Sequence, residues 1–170
     1  SATLNDLNNI AQLHAQSWRE NYHTVLSAEY LNENIVIERA QVWTARLSEP
    51  AANQEVLVAE QDGEFCGFIC VFGNNHAKYG SIIDNLHVCK PFKGQGIGTQ
   101  LLIAGTKWLN KHYPEHALYL EVLACNSNAI GFYRHLGGQN VDIAYWHTPC
   151  GNKVKEFIYY WQTPELLAKR

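Results

Sequence analysis

The sequence has 170 residues, of which 46% are hydrophobic and 17% are charged, and its formal net charge is −3. This length predicts a single domain over 1–170, and this composition excludes a disordered chain because apolar side chains are ample for a core. A weakly acidic chain without a block of like charges also argues against nucleic-acid binding through an extended basic face.

Membrane and metal chemistry are not expected either. We find no apolar run long enough to span a bilayer and no signal peptide or lipidation motif, so we expect a cytoplasmic protein that does not act on membranes. His112 and His116 are four residues apart, but Pro114 between them argues against a helical metal site. The cysteines are scattered without a Cys-x-x-Cys pair, so we expect free thiols at Cys66, Cys70, Cys89, Cys125 and Cys150.

The first part of the chain is predicted to form two helices. Thr3 and Asp6 approximate a capping box, with Asp in place of the usual Glu. Apolar residues then recur at helical spacing through Trp18. A second helical region is predicted from Ser27, and it is broken near Pro50.

Strands are predicted next. Residues 56–60 and 65–72 are strand-like, and Asp62-Gly63 between them is a strong hairpin signal. Residues 73–76 are predicted as a loop and residues 82–88 as the following strand. The chain is predicted to close with a hairpin of residues 141–147 and 154–161.

Two stretches in between indicate a ligand site. After the strand 82–88 comes Lys93-Gly-Gln-Gly-Ile-Gly-Thr99, followed by a helix predicted over about 97–110. Glycines at a strand-to-helix turn let a ligand approach the backbone, and the N-terminus of the helix favours a phosphate. The spacing fits neither a Walker loop nor a complete Rossmann fingerprint. A second strand, 117–123, leads into a helix that Asn126 caps and Gly137 ends.

Together the two stretches resemble the acetyl-CoA-binding core of the GNAT-type N-acetyltransferases. Lys93-x-x-Gly96-x-Gly98 resembles the first family motif, with Lys in place of Arg or Gln. The second motif is matched as far as its final Phe, which is Gly138 here, at Asn126, Ala129, Phe132, Tyr133 and Gly137.

The resemblance implies an α/β, GNAT-like three-layer domain. Its central sheet would be mixed and mostly antiparallel, splayed between two parallel strands, with helices on both faces. Relatives usually have one further strand before the first helix, whereas this chain starts almost at the helix cap.

The resemblance also implies acetyl-CoA as cosubstrate and no metal. Backbone groups of Leu86 and Val88 would pair with the pantetheine amides, N–H groups of the glycine loop would hold the pyrophosphate, and Asn126 would hydrogen-bond the pantetheine arm. The implied cofactor-binding residues are Leu86, His87, Val88, Lys93, Gly94, Gln95, Gly96, Ile97, Gly98, Thr99, Asn126, Ala129, Phe132 and Tyr133.

For catalysis, the resemblance implies Tyr133 as general acid near the sulfur and a backbone N–H, that of Val88, as oxyanion donor. The base is left between two residues. Asp84 shares a strand face with Leu86 and Val88 if no bulge intervenes, and Glu121 on the neighbouring strand is the alternative. A nucleophilic Cys89 or Cys125 is disfavoured because no motif places a base beside either thiol.

The acceptor pocket would lie between the N-terminal helices and the final hairpin. Trp18, Tyr22 and Tyr145, with Trp146, are candidates to line it, and Glu20 or Glu29 could attract a cationic amine. We therefore expect an N-acetyltransferase, a monomer or homodimer, that acts on a small-molecule or peptide amine by direct transfer. The alternative is a non-catalytic acyl-CoA-binding sensor or assembly module; a nucleotide-binding protein of another family is more remote.

Overall fold

Six strands form one mixed sheet in the computed structural model, which describes residues 1–114, 116–164 and 167. The strands run in the order β1-β2-β3-β4-β6-β5; β3 and β4 are parallel and the other neighbouring strands are antiparallel. This confirms the mixed, mostly antiparallel sheet. The bounds are β1 Gln54–Gln61, β2 Glu64–His76, β3 Gly80–Val88, β4 Leu118–Leu123, β5 Gln139–His147 and β6 Lys153–Trp161.

Four α-helices accompany the sheet in the described part of the chain: α1 Leu7–Asn21, α2 Ile35–Ser48, α3 Ile97–His112 and α4 Ser127–His135. The capping box is confirmed, since Thr3 N–H donates to Asp6 Oδ2 over 2.7 Å, and it starts a 3₁₀ turn that leads into α1. A π-helical turn, Tyr30–Asn34, precedes α2. Of the helices in these residues, none has the length and apolar character needed to cross a membrane.

The helices cover both faces of the sheet. On one face, Ile10 of α1 and Trp43 of α2 pack with Phe68 of β2, and all three are fully buried. On the other face, Leu102 of α3 packs with Ile69 of β2 and Leu120 of β4. These two apolar cores fix the three-layer arrangement.

The segment 73–76 differs from the prediction, because β2 continues to His76 instead of ending in a loop. Its polar side chains and backbone are satisfied by neighbours: Asn74 N–H donates to Ser81 Oγ over 3.1 Å, and Asn75 Nδ2 donates to the Tyr119 hydroxyl over 2.8 Å. Gly and Asn are typical turn formers, and here partners on neighbouring strands hold the segment within β2.

The parallel pair separates soon after it forms. β3 and β4 are paired at Ser81–Leu118 and Ile82–Tyr119, and beyond these residues the register ends. The strands therefore diverge toward their carboxyl ends, where open α/β sheets bind their ligands.

The first residues add little to the sheet. In the segment 1–6, Ala2 N–H donates to Val56 O over 2.7 Å, a single bond to the edge strand β1.

Candidate active site

A cavity of about 810 Å³ opens where β3 and β4 diverge. Its walls come from α1, α2, the carboxyl ends of β3 and β4, the glycine loop, α4 and one residue of β6. The size is that of an ordinary small-molecule site. The cavity therefore brings together the glycine loop and the Asn126 helix.

The glycine loop has the backbone that an anion site needs. Gly94 and Gly96 have φ of +81° and +82°, in the left-handed region that side chains with a Cβ rarely adopt. Gly96 is the N-cap of α3, and Gln100 N–H is bonded to Gly96 O over 3.0 Å. The N–H groups of the first turn before Gln100 have no partner within the helix and carry its positive dipole end.

Two side chains of this loop are already engaged. Lys93 Nζ is 3.3 Å from Glu20 Oε2 of α1. The pKa of Glu20 is lowered, first by the hydrogen bond from Gln16 and then by Lys93. Gln95 donates its side-chain amide to Pro91 O over 3.0 Å and does not line the cavity, unlike Gly94, Gly96, Ile97, Gly98 and Thr99.

The free edge of β3 forms another part of the cavity wall. Cys89 N–H donates to Cys66 O over 2.8 Å, and His87 is opposite Phe68 in the same ladder. Because hydrogen-bonded residues alternate along an antiparallel strand, the backbone groups of Leu86 and Val88 point away from β2, toward the gap. Both residues line the cavity.

Asn126 caps α4, as the sequence predicts. Its Oδ1 accepts from Ala129 N–H over 3.2 Å, which leaves the side-chain NH₂ as its remaining hydrogen-bonding group. Phe132 reaches back to the glycine loop: a Cβ on Gly98 would lie 3.6 Å from its ring. The two motifs are thus in direct contact.

Tyr133 lies on the same helix and lines the same cavity. Its ring packs edge-on against Trp161, with centroids 6.2 Å apart. Burial raises the pKa of the Tyr133 hydroxyl to about 12, so the phenol is protonated at neutral pH.

Asp84 does not share a face with Leu86 and Val88, because a β-bulge intervenes. The ladder passes from Cys70–Asn85 to Val71–Ile83, so Asp84 is the extra residue. Its carboxylate turns toward α2, where Arg46 Nη1 is 2.6 Å from Asp84 Oδ2 and 3.1 Å from Asn85 Oδ1. The condition attached to Asp84 as base is therefore not met, although the residue lines the cavity.

Two further carboxylates, those of Glu121 and Glu156, line the cavity as a pair. Glu121 is opposite Ile158 and Glu156 is opposite Leu123, so the two carboxylates are diagonal neighbours on one face of β4 and β6. Burial and then Asp84 raise the pKa of Glu121, while burial and then Glu121 raise the pKa of Glu156 to about 7. In the sequence, Glu156 looks like an ordinary residue of a half-exposed strand, and nothing there singles it out.

Aromatic rings form the wall on the side of α1. Trp18 and Tyr22 are stacked, with centroids 4.9 Å apart and planes 6° apart, and both line the cavity. Trp146 of β5 supports them from behind, 5.4 Å from Trp18.

Tyr145 is not part of this wall. It points to the other side of β5, 54% exposed, under Lys153. Glu29 is also exposed away from the cavity, and Glu20 is held by Lys93. Of the side chains predicted for the acceptor pocket, the structure brings together Trp18, Tyr22 and the supporting Trp146.

His14 and Arg39 also line the cavity, and the sequence pattern singled out neither as a site residue. His14 is 2% exposed, and its Nδ1 accepts the indole N–H of Trp43 over 3.0 Å. The guanidinium of Arg39 lies 4.5 Å over the Trp18 ring. Helical spacing placed His14 on a buried face, but only the fold places it at a cavity.

The half-buried His87 lies beside His14, with its ring centroid 4.8 Å from that of His14. Burial lowers the pKa of His87 to about 4, and burial followed by the neighbouring His87 lowers the pKa of His14 well below its ordinary value. Both imidazoles are therefore neutral at physiological pH.

A splayed parallel pair with a glycine loop on one side and an Asn-capped helix on the other is the architecture of GNAT-type acetyltransferases. The sequence profile of the Acetyltransferase (GNAT) family matches residues 7–137, and this chain belongs to that family.

The chain is also similar to individual members. It is 30% identical to an N-alpha-acetyltransferase of Sulfurisphaera tokodaii, with 84% of this chain and 80% of that protein covered. It is also 30% identical to the uncharacterized N-acetyltransferase YuaI of Bacillus subtilis, over 98% of this chain and 92% of the relative. The PaiA N-acetyltransferase of Thermoplasma acidophilum, solved with coenzyme A, has the same fold: TM-score 0.66, 21% identity, 91% and 94% coverage.

Proposed function

We propose that this protein transfers the acetyl group of acetyl-CoA to a primary amine of a small molecule or peptide, directly within a ternary complex. The observation that carries the proposal is that the glycine loop, Tyr133 and the Glu121–Glu156 pair line one cavity. The thioester of an acetyl-CoA bound at the glycine loop would therefore share one cavity with a general acid, Tyr133, and a general base from the Glu121–Glu156 pair.

Acetyl-CoA would be held mainly by backbone groups. The N–H groups of residues 93–99 would bind the pyrophosphate, with Lys93 adding a positive charge. The unpaired backbone groups of Leu86 and Val88 would hydrogen-bond the pantetheine amides, so that the pantetheine arm takes the place of an added strand. The NH₂ group of Asn126 would complete the grip on the arm. A structure of the same fold was solved in complex with coenzyme A, which supports a coenzyme A site in this chain.

In the transfer, the amine nitrogen attacks the thioester carbon, and a C–N bond forms as the C–S bond breaks. The Val88 N–H would stabilise the oxyanion, since it faces the gap at the end of β3. The Tyr133 hydroxyl, protonated at neutral pH, would donate to the departing thiolate.

The amine must lose a proton before or during attack, because an ammonium has no lone pair. Glu156, whose pKa is raised to about 7, is poised to accept a proton near neutral pH, directly or through water, with Glu121 beside it. Asp84 is a weaker candidate because its carboxylate is held in an ion pair with Arg46.

An acetyl-enzyme is not part of this route. Burial raises the pKa of the Cys89 thiol, which disfavours the thiolate that a nucleophile requires. Mass spectrometry after incubation with acetyl-CoA alone should show no stable adduct. A stoichiometric acetyl group on Cys89 or Cys125 that is then passed to an amine would contradict direct transfer.

Free thiol release from acetyl-CoA, followed over a panel of amines, tests the function itself. Amine-dependent release is expected. Tight acetyl-CoA binding without release for any amine would favour the acyl-CoA-binding module instead. A cytoplasmic location, a monomer or homodimer, and the absence of nucleic-acid and membrane partners belong to the same proposal.

A further inference from the structure

We propose that the amine acceptor carries a carboxylate, which Arg39 binds at the far side of the Trp18–Tyr22 stack from Tyr133. This inference rests on the proposed acetyl transfer and adds the chemical class of its acceptor: a small molecule with an amine at one end and an anion at the other.

The first observation is that Arg39 has hydrogen-bond donors to spare in a buried position. Its side chain is 11% exposed, and one of its two terminal nitrogens donates to Glu38 over 2.7 Å. Its Nε is buried and has no acceptor among the described residues. A guanidinium has five N–H donors, and burying them unpaired is costly, so the arrangement suits a missing anionic partner.

The second observation is an independent unpaired donor on the same cavity wall. Because Trp43 donates to Nδ1 of His14, the neutral imidazole carries its proton on Nε2. That Nε2 is buried and has no partner in the part of the chain that the structure describes. His14 and Arg39 both line the cavity, so the same wall holds two buried N–H donors without a partner among the described residues.

The other Lys and Arg side chains on the cavity wall are each paired with a carboxylate from a distant part of the chain. Arg46 is engaged with both Asp84 and Asn85, and Lys93 is paired with Glu20. Arg39 has only the partly exposed Glu38, its own neighbour in the chain, which leaves the rest of its planar fork for a ligand. A planar fork matches a carboxylate with two parallel hydrogen bonds.

The two ends of the cavity differ in charge. Tyr22 lines the same cavity as Glu156 and Tyr133; burial and then Glu156 raise the pKa of its hydroxyl, and Arg39 lowers it. Trp18 stacks on Tyr22 and also carries the Arg39 guanidinium. An amine beside Glu156 and an anion beside Arg39 would thus have the stacked rings of Trp18 and Tyr22 between them. This spacing favours an amino acid whose amine and carboxylate lie several carbons apart.

The test uses matched pairs of acceptors that differ by one carboxylate: glycine and methylamine, γ-aminobutyrate and propylamine, ε-aminocaproate and pentylamine. For the wild type we expect kcat/KM to favour the longer amino acids over their decarboxylated partners by about 10- to 100-fold, the worth of a charge-assisted hydrogen bond. Arg39→Gln should remove this preference, so that each amino acid and its decarboxylated partner have similar kcat/KM. Equal kcat/KM within each pair in the wild type would overturn the inference, as would a preference that survives in Arg39→Gln.

Control variants separate recognition from folding. Lys111→Gln removes one positive charge from the exposed end of α3 and should keep the preference. Arg39→Lys retains the positive charge without the planar guanidinium, so it should keep only part of the preference for acceptors that carry a carboxylate. Acetyl-CoA affinity should be the same in all variants, which shows that each one is folded.

A binding measurement distinguishes failure of this inference from failure of the proposed transfer. Calorimetry of the acetylated probes on the coenzyme A complex needs no turnover. If ε-acetamidocaproate binds through Arg39 but no amine is acetylated, the anion site stands and the transferase function fails. If acetylation proceeds and this probe binds no better than N-pentylacetamide, the function stands and the anion site is wrong.

Discussion

Trp43 donates its indole N–H to Nδ1 of His14 over 3.0 Å, between two helices that both wall the cavity. Both side chains are almost completely buried. The bond fixes which imidazole nitrogen carries the proton and holds the ring against His87. Trp43, a residue of the hydrophobic core, thus determines the tautomer of His14, a residue of the cavity wall.

We expect Trp43→Phe to lower the free energy of unfolding by about 1–3 kcal/mol from the orphaned Nδ1, in addition to the loss of packing. Denaturant unfolding measures this. Trp108→Phe is the matched control, because Trp108 is only partly buried on α3 and packs on His112. An equal loss in the two variants would contradict a special role for the His14 bond.

Gly96→Glu should abolish acetyl-CoA binding, because it places a negative side chain where the pyrophosphate would lie, and it strains a residue whose φ is +82°. Calorimetry with acetyl-CoA is the measurement. Gly63→Glu is a matched control: it has φ of +80° in the β1–β2 turn, with open space around it. It carries a similar backbone strain and should bind normally, so a loss in both variants would point to folding.

Tyr133→Phe keeps the ring on Trp161 but removes the donor. General acid catalysis is worth about 10²–10⁴-fold, so kcat should fall by that range while acetyl-CoA affinity changes little. Tyr160→Phe, a partly buried tyrosine outside the cavity, should leave kcat unchanged. Full turnover in Tyr133→Phe with every accepted amine would move the acid elsewhere.

The rate should rise with pH through a limb near neutrality, because Glu156 must lose a proton to act as base. Glu156→Gln should remove that limb. Glu121→Gln should move it to lower pH, since the charge of Glu121 contributes to the raised pKa of Glu156. Asp84→Asn should keep a pH-dependent limb near neutrality. If the limb disappears in Asp84→Asn and persists in Glu156→Gln, the base is Asp84.

Stability should respond to acid with two opposite contributions. The pKa of His87 is lowered from 6.5 to about 4, so the unfolded chain binds its proton first and stability is lost as pH falls through this window. The pKa of Glu156 is raised from 4.5 to about 7, so the folded chain binds that proton first and stability is gained as pH falls from about 7.

The opposite contributions of His87 and Glu156 to stability can be separated by melting temperatures measured at about pH 7.5 and about pH 5. Relative to the wild type, His87→Gln should lose less on acidification and Glu156→Gln should lose more. Glu49→Gln, an exposed surface change, should follow the wild type. Shifts of the same sign in the first two variants would refute the assignment.

Features encoded locally were predictable from the sequence. The Asp62-Gly63 hairpin turn has φ of +54° and +80°, values that Gly and Asp tolerate and most residues do not. The Gly96 N-cap and the Asn126 cap likewise depend on the residues at those positions alone. The family motifs then joined these local signals into one site.

Features that depend on distant partners were not predictable. The bulge at Asp84 is defined only by its register with β2, and a strand pattern read without that partner assigns Asp84 to the wrong face. Tyr145 and Trp146 could be told apart only once the outward side of β5 was known. Arg39 and Glu156 line the cavity because helices and strands that are far apart in the chain pack together.

The early end of the β3–β4 register also has a thermodynamic consequence. Within the described residues, two paired positions, Ser81–Leu118 and Ile82–Tyr119, join one half of the sheet to the other in register. A pantetheine arm hydrogen-bonded to both β3 and β4 would connect the two strands where they no longer pair with each other. Folding would then be linked to cosubstrate concentration, with about 2.7 kcal/mol of added stability at a hundredfold excess over Kd. The cellular supply of acetyl-CoA would set how long the molecule survives unfolding and proteolysis, as well as how fast it works.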